Sequence, residues 1–257
     1  MKAEDLKNSI LQLAMEGKLV PQDYNDEPAS VLLEKIMEEK ERLIKEKKIK
    51  RNKKESFIFK ENNHFYERIG KNDPVCIDDE IPFAIPEKWE WCRLGEISFI
   101  TKLAGFEYTK YIAPNITNKG IPLLKAKYII EDKLLKEFEH YIPKKVSDNL
   151  IRSKVNKKCI LTPYVGSIGN VVLFEGKYEA HLAPNLAKII MYGAISEKYI
   201  INYIKSPLGY SELTKYIKST AQPSISIAAL RDMLIPLPPL KEQKEIIEKI
   251  EQLYDYI

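Results

Sequence analysis

The sequence is poor in the residues that form metal and disulfide sites. Its 257 residues include three cysteines and three histidines. The cysteines are Cys76, Cys92 and Cys159. Their spacing matches no metal-ligand motif, and their odd number does not suggest a disulfide framework. A metal site is equally disfavoured by the dispersion of the histidines, which are His64, His140 and His181. We expect these histidines at the surface or hydrogen-bonded in the core. These two patterns predict that the protein holds no metal. Because no signal peptide is recognisable, we also predict a reduced, cytoplasmic protein.

Long apolar stretches are also missing. No apolar run approaches the roughly 20 residues that a membrane-spanning helix needs. The hydrophobic content of 44% is nevertheless ample for a packed core. A length of 257 residues fits one large domain or one domain with helical appendages.

A strong overall charge is absent as well. The formal net charge at pH 7 is +4. The segment 45–54 holds seven basic residues and one acidic residue, a net +6, which leaves −2 for the remainder. The overall charge is therefore a weak argument for nucleic-acid binding. The segment 45–54 is either a contact for a polyanion or a solvated linker, and composition alone slightly favours the linker.

Recognisable catalytic motifs are missing too. Thr162-Pro163-Tyr164 approaches the Asn/Asp-Pro-Pro-Tyr loop of amino-methyltransferases, but it lacks the first residue and one proline. No glycine-rich turn for a methyl donor accompanies it. Asp148 and Glu175 form at most a chance imitation of nuclease carboxylates. The loop 166–170 lacks the Lys-Ser/Thr ending of a phosphate loop. We therefore predict that the chain has no catalytic residue.

The sequence does contain a sharply defined helix at its C-terminal end. Pro238 and Pro239 cannot continue a strand, whereas proline is tolerated in the first turn of a helix. Apolar residues then recur at spacings of four, three and four, at Ile246, Ile250, Leu253 and Ile257. The chain shows no obvious partner for this seam. The helix is either an ordinary amphipathic helix packed on its own domain or a coiled-coil arm, and the sustained pattern favours the arm.

Composition and the positions of turn-forming residues divide the chain into four parts. Residues 1–54 are predicted to form helices that end in the basic segment. Residues 55–84 show no clear period and are predicted to be an irregular linker. Residues 85–234 alternate short apolar runs with turn residues, which predicts a mixed β-rich globular domain. Residues 235–257 form the terminal helix and its entry. The predicted fold class is therefore α+β with helical arms.

Several of these segments resemble one family. Residues 235–250, which begin Ile-Pro-Leu-Pro-Pro-Leu-Lys-Glu-Gln, resemble the entry into the conserved spacer helix of type I restriction–modification specificity subunits. Residues 6–22 are similar to the end of that spacer. Residues 85–97 resemble the start of a target recognition domain, and later motifs of such a domain match at 166–170 and 221–226. The resemblance covers nearly the whole chain, and the two spacer segments are its specific part.

The resemblance implies a subunit that does no chemistry. Such a subunit reads a bipartite DNA target and scaffolds two methyltransferase subunits, which carry S-adenosylmethionine. Restriction subunits that use ATP and Mg²⁺ join this core. The usual member holds two recognition domains apart with two antiparallel spacer helices. This chain has one such domain, at 85–234, so we expect a half subunit, natural or truncated, whose helical arms form an antiparallel coiled coil.

We expect two sets of functional residues in such a half subunit, one that faces DNA and one that forms the dimer. The DNA-facing set lies in loops rich in side chains that suit phosphates and base edges, although the residues alone favour ordinary solvated loops. It comprises Lys102, Tyr108, Lys110, Lys125, Lys127, Tyr164, Ser167, Asn170, Gln222 and Ser224. A homodimer that reads an interrupted palindrome is expected to use Leu6, Ile10, Leu13, Ile246, Ile250 and Leu253. The alternative is a scaffold or anti-restriction decoy that binds the methyltransferase subunits without reading DNA.

Overall fold

The computed structural model describes residues 2–52, 54–218 and 221–257. These residues group into two units, each built from segments that are distant in sequence. Unit 1 comprises Met1–Ser98, Met191–Glu212 and Arg231–Ile257, and unit 2 comprises Phe99–Ile190 and Leu213–Leu230. The predicted mixed α+β class is confirmed. The predicted domain limits stay predictions. Among the described helices, none has both the length and the apolar character that a membrane crossing requires.

The helices are distributed over both ends and the middle of the chain. They are α1 (Ala3–Met15), α2 (Ala29–Lys45), α3 (Leu94–Ile97), α4 (Gly105–Glu107), α5 (Lys144–Asn149), α6 (Glu197–Lys205), α7 (Pro207–Thr214), α8 (Ile227–Asp232) and α9 (Leu240–Tyr254). A π-helical turn occupies Tyr108–Ile112, and 3₁₀ turns occupy Asp78–Glu80, Ala113–Asn115 and Ala126–Tyr128.

The strands are short and form five small sheets within the described residues. They are β1 (Ser56–Glu61), β2 (His64–Ile69), β3 (Val75–Cys76), β4 (Glu90–Arg93), β5 (Ser98–Lys102), β6 (Ile121–Leu124), β7 (Ile129–Ile130), β8 (Lys133–Leu134), β9 (Tyr141–Ile142), β10 (Lys154–Val155), β11 (Cys159–Pro163), β12 (Val172–Phe174), β13 (Ala180–Leu182), β14 (Leu186–Met191) and β15 (Leu234–Leu237).

Unit 1 buries the apolar face of α9 against α1 and α6. Ile246 and Ile250 are 0% and 2% exposed, and Ile10 of α1 is 7% exposed. The expectation of a seam without a partner in the chain is therefore wrong, and these three residues are not available to a second copy. Helical periodicity identifies the buried face but not the helix that covers it. Leu13 is 43% exposed, and Leu6 and Leu253 are half-buried.

The polar residues that open α9 bind segments elsewhere in unit 1. The carboxylate of Glu242, which is 2% exposed, accepts hydrogen bonds from Gln22 Nε2 at 2.5 Å and Trp89 Nε1 at 2.7 Å. The side-chain oxygen of Gln243 accepts the backbone N–H of Ser196 at 3.1 Å. Because these groups are buried and satisfied, they fix where α9 begins relative to α6 and the connector after α1.

Residues 55–84 are not an irregular linker, because they form an antiparallel sheet with the order β1-β2-β3. Asn62 and Asn63 join β1 to β2 with φ angles of 50° and 66°, as a two-residue hairpin turn requires. The alternating pattern is hidden in the sequence because an inward position of β2 is acidic. This residue, Glu67, is buried and pairs with Arg93 of β4 at 2.7 Å.

Unit 2 contains two four-stranded sheets. One has the order β12-β11-β14-β5, and the other has the order β10-β13-β6-β9. The pair β13–β6 is parallel, and the other pairs of described register in these sheets are antiparallel. Leu123, Leu161, Leu182 and Leu186 belong to the apolar core between them, and each is at most 1% exposed.

Two buried basic side chains accompany this core. His181 is 0% exposed, and its ring nitrogens lie 3.0 Å from the hydroxyl of Ser147 and 3.1 Å from that of Ser153. It is thus a satisfied core histidine, and burial lowers its pKa to about 4. Lys188 is 5% exposed and donates a hydrogen bond to the carbonyl of Lys154. Burial lowers the pKa of Lys188 to about 8.

Lys188→Met should stabilise unit 2 at neutral pH. Below pH 8 the folded chain must bury a charged ammonium, whose cost is roughly 3 kcal/mol for a pKa depressed by this much. Losing the hydrogen bond to Lys154 offsets about 1 kcal/mol of the gain. Between pH 8 and about 10.5 the unfolded lysine binds more proton than the folded one, so wild-type stability rises with pH and the advantage of the variant fades.

Hydrogen exchange of unit 2 peptides across this pH range measures the effect. Lys133→Met, an exposed strand position of the same unit, is the control and should change stability by at most about 0.5 kcal/mol. A Lys188→Met variant that is less stable than the wild type at pH 7 would contradict the prediction.

Candidate nucleic-acid interface

Two of the predicted loops of unit 2 pair with each other. Gly166 N donates to Pro223 O at 2.8 Å, and Ile225 N donates to Tyr164 O at 3.0 Å. Val165 and Ser224 form an antiparallel bridge between the same segments. The loop after β11 and the segment before α8 therefore form one surface, although the sequence separates them widely. Ser219 and Thr220, which precede Gln222 in the second of these segments, lie outside the described residues.

Lys102, at the end of β5, joins this surface through Tyr164. Its Nζ lies 4.4 Å from the centroid of the Tyr164 ring, which is a cation–π contact. Tyr164 is 9% exposed, and its hydroxyl accepts the N–H of Asn185 at 3.3 Å. The buried ring faces the ammonium of Lys102, and the direct DNA contact expected of Tyr164 stays a prediction.

The remaining members of this surface point polar groups toward solvent. Ser167, Asn170 and Gln222 are exposed, and Ser224 is half-buried. Gly166 adopts a φ of +83°, and among the described residues, its two chain neighbours aside, no heavy atom lies within 4 Å of the place where a Cβ would stand. The name "Tyr164 surface" is used below for Lys102, Tyr164, Ser167, Asn170, Gln222 and Ser224. This surface offers a charged ammonium group together with hydroxyl and amide groups that can donate and accept hydrogen bonds.

Lys125 and Lys127 form a second group, which is partly neutralised. Lys127 Nζ lies 2.5 Å from a carboxylate oxygen of Glu139, and Lys125 Nζ lies 3.7 Å from the other oxygen. Lys125 also lies 2.8 Å from Nδ1 of His140. The hydrogen bond with Glu139 raises the pKa of Lys127 and lowers that of Glu139. This group therefore offers a phosphate less positive charge than two isolated lysines would.

Tyr108 and Lys110 lie in the helical segment after β5. Tyr108 is partly buried and packs against the core of unit 2, whereas Lys110 is exposed and lies 5.2 Å from the centroid of the Tyr111 ring. Two aromatic side chains of this segment are absent from the predicted DNA-facing set. Phe106 and Tyr111 are 67% and 40% exposed, and their position among lysines in a polar segment was the available signal.

The chain is similar to known proteins over most of its length. Residues 86–257 match the family described as the type I restriction modification DNA specificity domain. The EcoAI specificity subunit of Escherichia coli, from a type I restriction enzyme, is 33% identical over 96% of this chain and 39% of its own length. The corresponding EcoEI subunit of Escherichia coli is 32% identical over 97% of this chain and 40% of its own length. The chain thus spans about two fifths of these relatives.

A solved structure shares the fold. It is described as the structural basis underlying complex assembly and conformational transition of the type I R-M system, and one of its chains aligns with a TM-score of 0.52. The aligned region covers 68% of this chain and 40% of that chain at 16% identity, so the likeness concerns the fold alone. The family match, by contrast, extends over well over half of the sequence. The chain therefore belongs to the family of type I restriction–modification DNA specificity domains.

Proposed function

We propose that the chain reads one half of a bipartite DNA target, as part of a type I restriction–modification specificity subunit, and that the Tyr164 surface is its reading surface. Family membership supports the function. The observation that carries the surface is the pairing of two polar loops beside an oriented lysine. Lys102 suits a phosphate, whereas the amides of Asn170 and Gln222 suit base edges in the major groove.

The partners in this proposal are the other subunits of the enzyme. The chain itself performs no chemical step. Methyltransferase subunits carry S-adenosylmethionine and bind the helical segments, and restriction subunits supply ATP- and Mg²⁺-dependent cleavage. The complex acts in the cytoplasm, where the DNA lies. EcoAI and EcoEI, whose specificity subunits are similar to this chain, are named as type I restriction enzymes.

Selection from random duplexes tests the proposed function. The purified chain, alone and with its methyltransferase subunit, is incubated with a duplex library at two salt concentrations, and the retained DNA is sequenced. We expect a short, reproducible half-site whose enrichment survives higher salt, because base contacts specify while phosphate contacts are screened. Retention of the methyltransferase subunit without any enriched sequence would instead support the decoy that does not read DNA.

Glu139→Gln should strengthen DNA binding two- to tenfold at moderate salt. The change removes the carboxylate that partly neutralises Lys125 and Lys127, so both lysines become stronger phosphate partners. The affinity should also become more dependent on salt. Fluorescence anisotropy with a labelled duplex measures both quantities, and Glu137→Gln, an exposed neighbouring carboxylate, is the matched control. If Glu139→Gln and Glu137→Gln bound DNA with equal affinity, Lys125 and Lys127 would not belong to the interface.

We further propose that two copies associate through the outer faces of α1 and α9 in an antiparallel arrangement. The support is the apolar surface that remains there, namely exposed Leu13 and half-buried Leu6 and Leu253, together with Tyr256 just beyond the end of α9, which is 88% exposed. A twofold pair would present two identical reading surfaces and would select an interrupted palindrome. Sedimentation equilibrium should detect the dimer, and Leu13→Lys with Leu253→Lys should shift it to monomer. A wild-type chain that stays monomeric at high concentration contradicts this part of the proposal.

A further inference from the structure

Three side chains that can bind a metal ion lie close together at the β1-β2-β3 sheet of unit 1. The imidazole of His64, the thiol of Cys76 and the carboxylate of Asp78 each bring one donor atom, and these atoms all lie within 4.8 Å of one another. The sequence predicts no metal site, because the cysteines have no metal-ligand spacing and the histidines are dispersed. Only the pairing of β2 with β3 reveals the cluster.

The hairpin determines which residues share this face. The turn at Asn62 and Asn63 places His64 at the start of β2. Side chains alternate along a strand, so Tyr66 lies on the same face as His64. Tyr66 pairs with Cys76 of β3, and directly paired residues also share a face. The thiol and the imidazole therefore project from the same side of a hydrogen-bonded sheet.

Asp78 is oriented toward this pair by the backbone. One of its carboxylate oxygens accepts the N–H of Phe65 at 2.7 Å, and the other lies 2.6 Å from Nδ1 of His64. A carboxylate held by a second hydrogen bond is already directed as a ligand. The side chains of His64 and Asp78 are 58% and 38% exposed, and Cys76 is exposed. An ion can therefore reach the cluster directly from solvent.

We propose that His64, Cys76 and Asp78 form a binding site for a divalent transition-metal ion, with Zn²⁺ as its preferred occupant. Imidazole, thiolate and carboxylate all bind Zn²⁺, whereas Ca²⁺ and Mg²⁺ prefer oxygen ligands. In a tetrahedral site with bonds of about 2.0–2.3 Å, ligand atoms stand about 3.3–3.8 Å apart. The observed range, from 2.6 Å to at most 4.8 Å, brackets this spacing. Three protein ligands leave a fourth position open to water or to a partner group.

Cobalt spectroscopy of the untagged full chain tests this site. Co²⁺ can occupy zinc sites, and a thiolate ligand adds a sulfur-to-metal charge-transfer band to its spectrum. We expect this band to saturate at one ion per chain and to disappear when Zn²⁺ is added. Cys76→Ser should abolish the band, since Cys92 and Cys159 are buried. Competition with a chromophoric chelator should show that His64→Ala weakens Zn²⁺ binding at least 100-fold, because even losing a group that only orients a ligand costs roughly 10–100-fold.

His140→Ala and Asp79→Asn are the matched controls, because they remove a histidine and a carboxylate outside the cluster. Both should retain the charge-transfer band and the wild-type Zn²⁺ affinity. The substituted cluster residues are solvent-accessible, and circular dichroism should report folded chains for all variants. The proposal is overturned if the wild type gives no charge-transfer band, if Cys76→Ser retains it, or if either control weakens Zn²⁺ binding as much as His64→Ala does.

Discussion

Lys102→Glu should weaken DNA binding by roughly 10- to 100-fold and reduce its salt dependence. The substitution removes a phosphate partner, which changes the salt slope by about one per lost contact. It also places a carboxylate near the backbone of the duplex, which adds repulsion. Because Lys102 lies 4.4 Å from the centroid of the Tyr164 ring, its ammonium is held in place and loses little freedom on binding. The loss should affect specific and random duplexes alike, as a phosphate contact carries no sequence information.

Anisotropy titrations at three salt concentrations measure this effect. Lys102→Arg keeps the charge and the contact with an aromatic ring, so it should bind within a few-fold of the wild type. Lys145→Glu makes the same charge change on α5, which contributes no residue to the Tyr164 surface, and should have a small effect. Asn170→Ala should relax one position of the target without changing the salt slope. If Lys102→Glu and Lys145→Glu lose affinity equally, the Tyr164 surface is not the interface.

The proposed reading surface was only partly predictable from the sequence. The residue types in the loops after β5 and β11 suit DNA, because ammonium, amide and hydroxyl groups match phosphates and base edges, but by themselves they favour ordinary solvated loops. The sequence cannot show that the segments around Tyr164 and Ser224 pair, because this contact joins distant parts of the chain. It also cannot distinguish an oriented lysine such as Lys102 from one that a carboxylate neutralises, such as Lys127.

The helices also show that the sequence predicts local structure but not long-range contacts. The prolines before Leu240 and the apolar spacing after it correctly predict α9, because both act within one element. Its packing against α1 and α6 depends on long-range contacts that periodicity does not contain. The sheet at 55–84 was missed because a charged side chain, Glu67, occupies an inward position. Such a position is stable only when a partner elsewhere in the chain compensates the charge.

Glu67→Ala should therefore destabilise unit 1 by about 3 kcal/mol, as expected when one member of a buried ion pair is removed. Glu67 accepts hydrogen bonds from Arg93 Nε at 3.0 Å and Nη2 at 2.7 Å, and the two side chains are 9% and 8% exposed. Without Glu67, the guanidinium keeps, among the described residues, the carbonyl of Asp232 and the half-exposed carboxylate of Glu80. Its buried charge is then poorly compensated, whereas Glu80→Ala should cost less than about 1 kcal/mol.

Urea denaturation followed by tryptophan fluorescence isolates this effect, because both tryptophans, Trp89 and Trp91, belong to unit 1. Burial alone would raise the pKa of Glu67, but hydrogen bonds from Arg93 and Ser56 outweigh it and hold the pKa below the ordinary value of a glutamate. The contribution of the pair to stability is therefore fully present above the ordinary glutamate pKa, and it is lost as the pH falls through the lowered pKa. Wild type and Glu67→Ala should converge in acid, whereas Glu61→Ala, an exposed change on the same hairpin, should follow the wild type throughout. An equal loss at neutral and acidic pH would show that packing, rather than the ion pair, stabilises this hairpin.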